Sequence, residues 1–353
     1  MAGNNEVKAG KVQTVLGLID GEDLGITLPH EHLLADFSVW FTEPVEAGLK
    51  KLAYAPVSME TLNWIWHNPI NNLENARFAD EKTVIQEAML FKREGGGTIV
   101  ELSNRNIGRD PLGLARISRA TGLNVVMGSG YYVGEAQGPE YDKKTEEDIA
   151  EEFITEIEVG AGDTEIRAGI IGEIGSSHPL QERERKCLLA AVRAQKQTGA
   201  AINVHPGRSV NSPMEIIELL RDAGAGIKRV VMSHLDLIVH PLEVVHELAK
   251  TGCFLEYDYF GGFPFNPTRW GIAPRPCDRE RIEQIRQLIA SGYLDQILIS
   301  QDTGAKARLV RYGGGGYIHI LRNIVPQMLA HGITRDQLRT IMVKNPKRLL
   351  CFA

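Results

Sequence analysis

The chain has 353 residues, 43% hydrophobic and 24% charged, the balance of a soluble globular protein that can bury a core without disulfides or a structural metal. A formal net charge of −6, with no basic block, argues against binding to a phosphate backbone and so against nucleic acid as a partner. Cys187, Cys253, Cys277 and Cys351 are scattered, no run approaches membrane-spanning length, and the first residues lack a signal-peptide core, so the expectation is free thiols, no membrane and the cytoplasm.

Along the chain, short and nearly continuous apolar runs alternate with amphipathic stretches. The first strand is expected at 25–29 (GITLP), followed by a long insertion at about 38–80 that carries Trp40, Trp64 and Trp66. A helix over 81–94 follows, with Val84, Ile85, Ala88, Met89 and Phe91 on one broad face. Further strands are expected at 97–102, 123–128 and 167–172. A helix rich in strong helix formers then covers 181–198 and stops at Gly199. Strands at 201–204, 229–233, 252–256 and 296–300 alternate with helices at 212–223, 241–249 and 278–290. Two Gly- and aromatic-rich loops, 258–277 (with Arg269 and Trp270) and 303–317, follow the seventh and eighth strands.

Apolar runs of this kind suit parallel strands covered on both faces. Eight of them alternating with helices predict an α/β fold, a (β/α)8 TIM barrel in one domain over 1–353, with its active site at the C-terminal ends of the strands. A doubly wound open sheet is the alternative.

The chemistry gathers at those strand ends. The first closes on Pro29-His30-Glu31-His32, the fourth on Glu173, the fifth on His205, the sixth on His234 and the eighth on Asp302. Any one of these has a bland explanation, since a lone histidine after an apolar run is usually structural. Six at the rim of one barrel do not, because buried imidazoles and carboxylates need partners. Nitrogen and carboxylate donors suit zinc first, with manganese, cobalt or iron also possible by chemistry. Four histidines and two carboxylates exceed one tetrahedral site and suit two divalent ions that share a carboxylate. His67, His178, His240, His246 and His331 fall in helices or loops and are read as structural, as is His319.

At these residues the sequence resembles the phosphotriesterase family of the amidohydrolase superfamily, in its phosphotriesterase-related branch. The matching segments are TLPHEHLL, AGIIGEIGSS, NVHPGR, VMSHLD, EYDYFG and SQD, extended by RYGGGGYIHIL and NPKRLL. The resemblance implies a more buried ion on His30, His32 and Asp302, a more exposed one on His205 and His234, and Glu173 as the bridge. Phosphotriesterases proper carry a carbamylated lysine at the bridge, so the resemblance does not extend to efficient phosphotriester hydrolysis. It implies an activated water attacking the carbonyl of a small anionic N-acyl amide, with Asp302 taking the proton. Lactone or carboxylic-ester hydrolysis with weak phosphotriesterase activity is the alternative, and an inactive metal-binding scaffold is the alternative of another class.

Substrate contacts are expected from Tyr132, Arg208 and Arg269, the cations suiting an anionic small molecule. Lys306 and Arg308 are further basic candidates, with a surface or inter-loop salt bridge as the first reading for each. Asp236, two residues past His234, is either an orienting or relaying group or a structural carboxylate. A homodimer is the expected partner state.

Overall fold

The computed structural model describes residues 9–264 and 275–352. Its centre is a sheet of eight parallel strands: β1 (Ile26–Glu31), β2 (Gly96–Glu101), β3 (Asn124–Ser129), β4 (Ile170–Gly175), β5 (Ile202–His205), β6 (Val230–Met232), β7 (Phe254–Tyr257) and β8 (Ile297–Ile299). Each pairs with its neighbour in chain order. The two ends meet at a seam: the Asp302 amide donates to the His30 carbonyl at 3.2 Å, and Ser300 Oγ lies 2.7 Å from the same oxygen. The sheet is therefore a barrel, and the open-sheet alternative is set aside.

A helix follows every strand: α1 (Glu81–Arg93), α2 (Pro111–Thr121), α3 (Glu146–Glu158), α4 (Glu182–Thr198), α5 (Ser212–Asp222), α6 (Leu242–Lys250), α7 (Asp278–Ala290) and α8 (Val325–Ala330), the last entered through a π-turn. Local chemistry sets their ends. Asp80 caps α1 by accepting from the Lys82 amide, and Asp110 caps α2 with Pro111 in the first turn. Gly199 ends α4 at φ 72°, a left-handed position that costs glycine little.

The period of two along each strand explains the doubly apolar runs. One set of side chains, including Ile99, Val125, Ile202 and Ile297, packs outward against the helices. The alternate set, Val100, Val126, Ile170, Val231, Phe254 and Leu298, fills the barrel as an apolar floor. Continuing the alternation upward, Asn203, Ser233 and Glu256 form the next layer, and His205 and Asp258 the one above it.

The insertion opens and closes on a two-residue antiparallel pairing of Ala35–Asp36 with Arg77–Phe78 and holds two short helices, Ala47–Ala53 and Met59–His67. The buried amide of Asn75 clasps it internally, donating to the Pro69 carbonyl at 2.9 Å. The main displacement from expectation is β4, which begins three residues late and runs through Glu173 to Gly175. Helices α2, α3 and α8 had no assigned counterpart in the sequence reading.

Candidate metal centre

His30 and His32 leave the end of β1, fully buried. His30 Nε2 points at two carboxylates, 4.0 Å from Glu173 Oε2 and 4.0 Å from Asp302 Oδ1. It is buried and has no hydrogen-bond partner among the described residues. His32 Nε2 lies 3.1 Å from Asp302 Oδ1, while its Nδ1 meets Ser103 Oγ at 3.0 Å.

Glu173 reaches the opposite side of the cluster. Its Oε1 sits 2.6 Å from His205 Nδ1 and 2.9 Å from His234 Nε2. Gly172 makes this approach possible: at φ 145° an added Cβ would stand 2.7 Å from the Asn203 carbonyl oxygen. Burial works against charge on Glu173, but His205 and His234 override it and hold the carboxyl well below its usual range. Burial pushes the His205 imidazole down, toward the neutral form a ligand needs.

Two overlapping sets of donors, His30–His32–Asp302 and His30–Glu173–His234, each bring ligand atoms within 4.8 Å of one another. A buried imidazole nitrogen that faces two carboxylates and has no hydrogen-bond partner among the described residues is what a cation would satisfy. The donor set, four imidazoles and two carboxylates, fits divalent transition metals. His30, His32, Glu173, His205, His234 and Asp302 thus converge on one cluster.

A supporting layer lay outside the sequence reading. Asp258 accepts from the His234 amide at 3.0 Å and holds the His234 ring through Nδ1 at 2.8 Å. Glu256 meets His30 Nδ1 at 3.2 Å. Glu31, between the two histidines, accepts from Ser300 Oγ, Gln301 and the Thr303 amide, pinning the strand end that carries Asp302. Asp236 takes the structural role: it pairs with Arg281 at 2.6 Å and accepts from the Asp258 and Tyr259 amides, so it reaches the cluster through Asp258. The missed signal was Glu256-Tyr257-Asp258, whose i, i+2 spacing repeats that of the two β1 histidines.

Above the cluster a cavity of about 120 Å3 opens, with Asp302 at its base and Phe37, Trp40, Tyr132, Arg208, Leu237 and Arg275 in its walls. Tyr132 accepts from Trp40 Nε1 at 3.2 Å, and its ring stands edge-on to His205 at 5.3 Å. Burial, followed by the neighbouring Arg275, pulls the Arg208 guanidinium down to about 10, which leaves it cationic at neutral pH. Arg275, missed in the sequence, lies over the Tyr259 ring. Arg269 and Trp270 fall outside the described residues. Among the described residues Arg308 makes no ion pair of the expected kind: it donates to the Asp302 and Phe260 carbonyls at 2.7 and 2.8 Å. Lys306 does form an inter-loop salt bridge, to Glu74. Trp64 and Trp66 anchor the insertion against Phe263 and Leu237, and His319 is tied to Asp278 at 3.0 Å.

The family model of the phosphotriesterase family matches residues 10–350. The chain belongs to the phosphotriesterase family. Its relatives include the N-acetyltaurine hydrolases of Xenopus tropicalis, 43% identical over 98% of this chain and 99% of that protein, and of Dictyostelium discoideum, 40% identical over 97% and 98%. Among solved structures, a resiniferatoxin-binding protein from Rhodobacter sphaeroides superposes with a TM-score of 0.94 at 37% identity, covering 97% of this chain and 95% of that one. As a phosphotriesterase-family (β/α)8 barrel, the chain is a hydrolase, with a cluster of candidate metal ligands at its strand ends.

Proposed function

We propose that this chain hydrolyses a small N-acyl amide with an anionic tail, N-acetyltaurine being the leading candidate, at a centre of two divalent cations, zinc first among them. The observation that carries the reading is a small cavity with a metal-donor carboxylate, Asp302, at its base and a cationic Arg208 in its wall. The relatives' activity, hydrolysis of an N-acyl sulfonate, fits such a cavity.

In this reading His30, His32 and Asp302 would hold the more buried cation, His205 and His234 the more exposed one, and Glu173 would be shared between them. Bound there, divalent cations lower the pKa of a water and polarise the acyl oxygen. Asp302 is the proton acceptor: its side chain is 17% exposed, more open than Glu173, and it faces both the donors and the cavity. Its proton passes to the departing amine. Arg208 holds the anionic tail through its forked donors, with Tyr132 packing alongside. The apolar wall of Phe37, Trp40 and Leu237 limits the acyl group and excludes bulk water.

The same reading makes 1–353 one catalytic domain in the cytoplasm and a homodimer. The span of the family match supports the first and the four free cysteines the second.

The test is elemental analysis of purified protein, paired with hydrolysis of N-acetyltaurine, other N-acyl amino acids, lactones, carboxylic esters and phosphotriesters. Two metals per chain and a clear preference for the N-acyl sulfonate are expected. Preference for lactones or esters would shift the assignment to that alternative. Tight ligand binding without turnover of any substrate, in a metal-loaded protein, would favour the scaffold reading.

A further inference from the structure

Glu256 is fully buried on β7, in the layer between the apolar floor and the donor cluster. The function proposed above gives it no task. Burying a carboxylate there is costly unless something holds it, and the holding is one-sided. Its Oε2 accepts from Asn203 Nδ2 at 3.0 Å and from Ser233 Oγ at 2.7 Å, and it lies 3.2 Å from His30 Nδ1. Its Oε1 has no hydrogen-bond partner among the described residues. Asn203 on β5, Ser233 just past the end of β6 and His30 on β1 are thus gathered on a single oxygen.

The neighbouring Asp258 does not make Glu256 redundant. Asp258 Oδ2 comes within 3.1 Å of His30 Nδ1, but its two oxygens already serve the His234 ring and the His234 amide. The two carboxylates of the Glu256-Tyr257-Asp258 segment overlap at His30 but differ in reach: Asp258 is shared between His234 and His30, whereas Glu256 meets His30 and not His234. A ring nitrogen that donates its proton to a carboxylate leaves the other nitrogen as the ligand atom and makes it more basic. For His30 that other nitrogen is the orphaned Nε2 facing Glu173 and Asp302.

We propose that Glu256 is a positioning residue for the more buried cation: held by Asn203 and Ser233, it fixes the His30 tautomer with Nε2 as the ligand atom and adds negative charge beneath that cation. The proposal rests on the two-cation reading given above. It separates the two positions, because among the candidate metal ligands Glu256 touches only His30.

The variant to make is Glu256→Gln, which keeps the shape and an oxygen for Asn203 and Ser233 while removing the charge. Metal content is followed by elemental analysis across a chelator titration, for the unaltered protein and the variant, with the melting temperature of the metal-free forms as a check on folding. A His205→Asn variant, which weakens the exposed position, identifies which equivalent leaves first. Loss of the buried equivalent at about tenfold lower chelator, with the exposed one unchanged, is the expected result. Identical release curves, or equal weakening of both equivalents, would overturn the proposal. Glu256→Asp should restore part of the buried affinity, which a purely space-filling role does not predict. An unaltered protein that binds no metal would instead remove the two-cation reading itself, and this proposal with it.

Discussion

The amide of Asp302 donates to the carbonyl oxygen of His30 across the barrel seam at 3.2 Å. The residue proposed to accept the proton is thereby registered by backbone to a proposed metal ligand 272 positions earlier in the chain. Asp302 also adopts φ 49°, unusual for a residue with a side chain, and the Arg308 and Glu31 bonds hold that turn in place.

Asp302→Asn should therefore separate binding from proton transfer. The amide keeps an oxygen for the His32 side but is a poor base, so kcat should fall roughly 10²–10⁴-fold with metal content largely retained. Steady-state kinetics beside elemental analysis measure both. Full activity with both metals bound would end the proton-acceptor assignment.

Glu173→Gln should cost metal before it costs fold. The carboxylate lies against His205 and His234 at 2.6 and 2.9 Å, and an amide there supplies one weaker donor atom. We expect affinity for at least one equivalent to fall by 10-fold or more, and activity to need added zinc, manganese or cobalt. Activity that is unchanged in the presence of chelator would contradict this.

Arg208→Met tests recognition of the anionic tail. KM for an N-acyl sulfonate should rise by about tenfold or more, the loss of a charge-assisted contact, while an uncharged N-acyl amine should be affected far less. Equal losses on the two substrates would mean that Arg208 supports the pocket and does not read the charge.

Glu156 gives a prediction about acid stability away from the site. Burial alone would raise its pKa, yet Arg109, at 2.6 Å, with Ser129 and Arg105, lowers it to about 2. A depressed folded-state pKa contributes stability that is complete above the unfolded value near 4.5 and is lost as pH falls toward 2. The contribution is about 3 kcal/mol. Urea unfolding at pH 6, 4 and 3 should show the decline, and Glu156→Gln should flatten it while lowering stability at pH 6.

The barrel was legible because parallel strands buried on both faces leave apolar runs, and the donors were legible because histidines and carboxylates interrupt those runs at their ends. The same interruption displaced β4. Glu173 breaks the apolar pattern in mid-strand, so the run appears to finish where the strand is only half complete. Glu256 and Asp258 repeat the spacing of His30 and His32 but look like an ordinary polar strand end until His30 and His234 are seen beside them. The cavity wall was least legible: Phe37, Leu237 and Arg275 come from three separate loops, and no periodicity links them.

The first insertion and the loop after β8 are joined at several points. Lys306 pairs with Glu74, the Lys306 amide donates to the Asn75 carbonyl at 3.0 Å, and the Ala307 amide donates to Asn75 Oδ1 at 2.9 Å. Segments more than two hundred residues apart therefore behave as one interchangeable part. Grafting either loop alone from a relative with another substrate would leave Asn75 or its partners stranded, so selectivity in this scaffold has to be redesigned in pairs.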